Sequence, residues 1–140
     1  MKIVGKNFLK AFLFVCSGLV LTTIVFAGVR AAIGPPSEPG SPEATNITAS
    51  GCKLSFLAPK SDGGAPIYNY FIEYRTWGWG SWIKKGTTQS SVREYTVHNM
   101  TEGSEASFRV FANNEYGMSP PSLPSDYITF KDPFKPGKDQ

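Results

Sequence analysis

Beyond residue 46 apolar and polar residues alternate in short runs, and these runs predict the elements of the fold. Tyr95 and Val97 share one face of a run that ends at Thr101-Glu102-Gly103, a turn sequence. Alternation resumes with Ala106, Phe108, Val110 and Ala112 on one face and Ser107, Arg109, Phe111 and Asn113 on the other. Successive side chains of a strand point to opposite faces, so the two runs predict half-buried strands. Asn113-Asn114 and Gly117 tolerate positive φ and are expected to close the second strand. Upstream, Ile47 is expected to open the first strand, and Cys52, Leu54 and Phe56 alternate with Lys53, Ser55 and Leu57. Tyr70, Ile72 and Tyr74 mark the inward face of a strand over Tyr68 to Arg75, and a bend at Trp77–Ser81 leads into another at Trp82–Lys85. Ser119-Pro120-Pro121 reads as a proline-kinked edge before a last strand at Ile128-Thr129-Phe130.

Three stretches break the alternation. Residues 34–42, GPPSEPGSP, read as an extended linker, because neither a helix nor a central strand tolerates so much Pro and Gly. Ala58 to Pro66 is dense in turn residues, and Asp62-Gly63-Gly64 within it has neither a second ligand cluster nor the lysine spacing of a phosphate loop. The third is the leader. Lys2, Lys6 and Lys10 precede Ala11 to Val29, nineteen residues without a charge. A basic start before an apolar run has the layout of a secretory signal, with acceptable cleavage after Ala27 or Ala31. As a helix the run would reach about 28 Å, which also suits an uncleaved anchor through residues 11–29. Residues 1–33 are therefore expected to be a hydrophobic signal or anchor helix. The expected domain is 43–131 and the expected tail 132–140.

Charge narrows the partners. Lys2, Lys6, Lys10 and Arg30 lie before Gly34 and no acidic residue does, leaving ten basic and eleven acidic side chains after it, a net of −1. The overall +3 thus gives no ground for a nucleic-acid partner. Cys16 belongs to the leader, so Cys52 has no partner for a disulfide or a two-cysteine metal clip and is expected to be a small core residue. His98 is the only histidine and alternation turns it outward, with no nucleophile motif nearby. Glu102 and Glu105 flank Gly103-Ser104 and serve more simply to solubilise a turn than as an acid–base pair. No enzyme, cofactor or metal is expected. Asn46-Ile47-Thr48 and Asn99-Met100-Thr101 are glycosylation sequons, and Asn99, at a predicted turn, is the better acceptor.

From roughly Pro35 to Pro133 the chain resembles the fibronectin type III family. The resemblance rests on Phe108, Val110, Ala112, Asn113 or Asn114, and Gly117 after the turn at Thr101-Glu102-Gly103, and on Leu54 to Arg75. The latter stretch and Lys131-Asp132-Pro133-Phe134 look like modules and linkers of titin/twitchin-like muscle giant proteins. The resemblance implies an all-β, seven-strand immunoglobulin-like sandwich, strands A, B and E on C′, C, F and G. Two positions depart from it: Phe56 stands where the family usually has tryptophan, and Ala106 where it usually has the tyrosine-corner residue.

Three readings of function follow. The leading one is a non-catalytic protein-binding or adhesion module, secreted or displayed outside the cell on a membrane anchor. The alternative is a piece of a muscle giant acting as a structural spacer in the sarcomere. The third is a carbohydrate-binding module, with Trp77 and Trp79 stacking on sugar rings. Period two also puts Phe71 and Phe111 on one outward face of neighbouring strands, an exposed apolar patch for a protein partner.

Overall fold

The computed structural model describes residues 32–78 and 80–135. The expected leader helix, Trp79 and the end of the tail lie outside them. The described residues form eight strands: β1 Glu43–Thr45, β2 Cys52–Ser55, β3 Asn69–Thr76, β4 Ile83–Thr87, β5 Glu94–Val97, β6 Glu105–Asn114, β7 Gly117–Met118 and β8 Ile128–Thr129. One antiparallel sheet runs β1-β2-β5, and the other β4-β3-β6-β7 with β8 also on β6. This is the sandwich that the resemblance implies, with its seventh strand split into β7 and β8.

The inward faces follow the alternation. Cys52, Leu54 and Phe56 from one sheet meet Tyr70, Ile72, Phe108, Val110 and Ala112 from the other, all buried, with Phe130 beside them. Phe56 meets Tyr70 edge-on at 4.9 Å, and Phe108 does the same with Phe130 at 6.4 Å. Burying each such side chain stabilises by about 1.5–3 kcal/mol, so this shared face is the main reason the two sheets stay together. Ala106 is fully enclosed in the core, and the hydroxyl that bridges the sheets comes from Tyr95 instead. It donates to the Lys85 carbonyl at 3.3 Å. Gly86 permits this, since a side chain there would collide with the phenol.

Four sequence expectations are corrected. The first strand is Glu43–Thr45, not a run opening at Ile47, because Asn46 turns the chain with φ 50°. Asn113 and Asn114 do close β6, but as its last two residues and without positive φ. Buried Asn114 donates to the carbonyls of Gly34 (2.8 Å) and Asp62 (2.7 Å) and accepts from the Tyr116 N–H, tying the start of the domain to two loops. β6 is covered on both faces: Ser107 and Phe111 are buried as well as the core residues.

The fourth correction concerns the proline segments. Residues 34–42 are docked on the domain, not a free linker: the N–H groups of Gly34, Ser37 and Gly40 donate to Gly63, Ser61 and Leu57, each at 2.9 Å. Pro36, Pro39 and Pro42 are buried with the same three-residue spacing. Between β7 and β8 the spacing recurs. Ser119, Ser122 and Ser125 donate backbone N–H to the carbonyls of Ala112, Val110 and Phe108 at 2.8 Å. Their hydroxyls accept the N–H of the same three residues at 2.9 Å. Proline cannot donate, so serines separated by prolines carry the edge alone. Two residues of β6 advance about 6.8 Å, whereas three residues of extended polyproline would advance about 9.3 Å. Each repeat therefore carries one residue more than the two of β6 that it spans, which is why the seventh strand is interrupted.

Candidate functional site: an aromatic and cationic column

The outer face of the larger sheet carries the densest chemistry in the described residues. Register pairs Phe71 with Phe111, Glu73 with Arg109, and Arg75 with Ser107, and period two turns these side chains away from the core. Arg109 gives Glu73 both Nε, at 2.7 Å, and Nη2, at 2.6 Å. Both partners are partly buried, so screening is weaker than for the exposed pairs Lys53–Glu94 and Lys135–Glu102.

Rings and cations then follow one another across the face. Trp77 meets Tyr127 edge-on at 4.7 Å. The Arg75 guanidinium lies 5.9 Å from the Tyr127 ring and 4.7 Å from the Trp82 ring. Arg109 lies 4.4 Å from Trp82 and 5.2 Å from Phe111. Phe111 meets Phe71 edge-on at 5.8 Å, and Lys84 Nζ is 5.1 Å from Phe71. Such contacts each stabilise by about 0.5–1 kcal/mol where exposed and more where water is excluded.

The column changes the reading of the aromatic patch. Phe71 and Phe111 do share the outer face and do pair, but they are not open surface. Phe111 is only 8% exposed and Phe71 is half-buried. The reason is that Arg109 and Lys84, on neighbouring positions, lay cationic ends over the rings, as long basic side chains do. Trp77 is open, at 65% exposure, while Trp82 is half-buried. Trp79 lies outside the described residues. Arg75, Arg109, Trp82 and Tyr127 were not legible as a unit in the sequence. The available signal was the opposite charge of Glu73 and Arg109 on facing outward positions.

Both sequon asparagines are exposed and turn the chain, Asn46 with φ 50° and Asn99 with φ 57°. They follow β1 and β5, which flank β2, so they lie at the same end of the smaller sheet. Thr48, the hydroxyl of the first sequon, is engaged in its own turn with Gly51. Cys52 is buried and its thiol pKa is pushed up to about 11 by desolvation, with the charge of Lys85 opposing. A thiol held neutral is a poor nucleophile, which agrees with a core role. Asp62 Oδ1 accepts the Gly64 N–H, a plain turn. Among the described residues no group of three or more His, Cys, Asp or Glu side chains is placed to hold a metal.

Comparison with known proteins places this geometry. The family model described as fibronectin type III domain matches residues 36–127. The chain is 33% identical over 96 residues to a titin homolog of Caenorhabditis elegans, covering 69% of this chain and 0%, to the nearest per cent, of that protein. It is 33% identical over 103 residues to M-protein from striated muscle of Gallus gallus, covering 74% of this chain and 7% of that protein. A solved titin module from human cardiac muscle superposes with a TM-score of 0.66 at 38% identity, covering 74% of this chain and 100% of the module. The chain thus spans a small fraction of its curated relatives and the whole of a single solved module.

Proposed function

The chain belongs to the fibronectin type III family, and from that premise we propose that it is a non-catalytic protein-binding and spacing module of the muscle-giant kind. The relation to muscle proteins carries this reading: similarity runs through the module and involves only a small part of each long relative. The geometry supports it. A sandwich with a continuous core and a side-chain-covered outer face suits a stiff unit that presents a surface. On this reading the protein acts in the sarcomere, and its partners are other proteins.

A second reading has its own support. The lysine-led apolar leader and two exposed sequons favour the same module displayed outside the cell, secreted or anchored through residues 11–29. Protein binding is common to both readings and only the compartment differs. Fusing residues 1–40 to a fluorescent reporter in animal cells decides between them. Retention in the cytosol upholds the sarcomeric reading, and entry into the secretory pathway overturns it in favour of display. In the latter case glycosidase should shift the mobility of the intact protein, and Asn99→Gln should remove most of the shift.

A further inference from the structure

Arg75 and Arg109 lie on one face, each against aromatic rings, but only one of them is neutralised. Arg109 gives two donors to Glu73. Arg75 has no acidic group within ion-pair distance among the described residues. Its Nε is the one buried side-chain nitrogen or oxygen there without a hydrogen-bond partner. Glu105, on β6 two residues before Ser107, the partner of Arg75, is engaged with Thr129, and Asp126 beside Tyr127 makes no ion pair with Arg75. A buried donor without an acceptor is destabilising, so contact with Trp82 and Tyr127 must hold the guanidinium in place.

We propose that Arg75 anchors a binding site for a carboxylate on an acidic segment of a partner protein. This rests on the protein-binding reading and adds the chemistry of the partner. A guanidinium lying against two rings keeps its planar fork in a fixed orientation, so a carboxylate that accepts from it finds the donors already arranged. Lys84, exposed on the adjacent strand, adds a second positive charge to the face. Open Trp77, against Tyr127, supplies an apolar rim. The sheet offers one guanidinium without an ion pair among the described residues, within a domain whose net charge from Gly34 onward is −1. A discrete acidic side chain fits that distribution, and an extended polyanion, which needs a basic stripe, does not.

The test uses the full 140-residue chain and a ten-residue peptide alternating glutamate and threonine, with a glutamine-for-glutamate version as control. Titration is followed by the Arg75 Nε–H signal in nitrogen-resolved NMR and by peptide anisotropy. The glutamate peptide should shift that signal, and Arg75→Lys, which keeps the charge but loses the fork, should weaken binding about tenfold or more. Thermal unfolding of Arg75→Lys and Arg75→Gln checks that the domain remains folded. If the lysine variant unfolds, the Nε–H shift in the parent chain decides alone. Equal binding of the two peptides, or of parent and folded variant, overturns the proposal. So does a shift produced by a heparin oligosaccharide but not by the glutamate peptide. A domain that ignores the glutamate peptide yet binds a defined protein partner through another face would sink this site and leave the protein-binding reading standing.

Discussion

β6 is held along its two edges by different means. On one edge β3 pairs with it over eight consecutive residues, Asn69↔Asn113 to Thr76↔Ala106, without a break. On the other, β7 and β8 pair with it for two residues each, and the stretch between is bridged through Ser119, Ser122 and Ser125. The first edge is specified by period two and a buried face, so a slip by one residue would turn every core side chain outward. Between β7 and β8 the second buries serines where the first buries apolar side chains, and Leu123 is exposed; three hydroxyls set its register. Thr88 repeats the device next to β4, where its N–H donates to the Tyr70 carbonyl and its hydroxyl accepts the Tyr70 N–H. At these four positions a side-chain oxygen thus accepts the N–H that a backbone carbonyl would take in a regular ladder. Because only one serine per repeat carries the pairing, single substitutions should act very differently on the two edges.

Ile72→Ala should have the largest effect, because Ile72 is fully buried in the middle of the regular edge. A loss of about 2–5 kcal/mol is expected in chemical denaturation, from lost apolar burial and the cavity left behind. Hydrogen exchange should rise across the whole domain, since the substitution lowers global stability. A local response would show that the β3 edge is less cooperative than its continuous register implies.

Ser122→Ala should cost less, about 1–3 kcal/mol, by leaving the buried Val110 N–H without its acceptor. Here the increase in exchange should be concentrated at Val110 and its neighbours, with Ile72 and Tyr70 nearly unchanged. If Ser122→Ala is silent at Val110, the hydroxyl ladder is decorative and the prolines alone position the segment.

The smallest effect is a pH slope from Cys52. Burial raises the folded-state pKa to about 11 from an ordinary 9.0. Its contribution to stability is therefore complete below about pH 9 and is lost as pH rises through 11, because the unfolded thiol ionises first. Tyr70, also raised by burial, acts in the same sense, and Lys85, lowered by burial, acts in the opposite one. Comparing parent and Cys52→Ala denaturation between pH 8 and about 11 isolates the thiol. The parent should lose stability more steeply, and parallel curves would mean that the thiol is solvated.

The sequence by itself determined the all-β class, the inward faces of β2, β3 and β6, and the outward turn of His98 and Leu57. Each follows from local alternation, because side-chain direction along a strand depends on sequence position alone. It also contained the three-residue spacing of Pro36, Pro39 and Pro42 and of Ser119, Ser122 and Ser125, but period-two reading renders that as linker and kink. Only the tertiary structure decided that these segments are docked, since their partners, Leu57 to Gly63 and β6, are remote or non-adjacent in sequence. It alone decided that Phe111 is buried and that Arg109 is paired while Arg75 is not. Alternation assigns a side chain to a face; what lies over that face depends on the reach of Trp82 and Lys84, around the start of β4, and of Tyr127, just before β8.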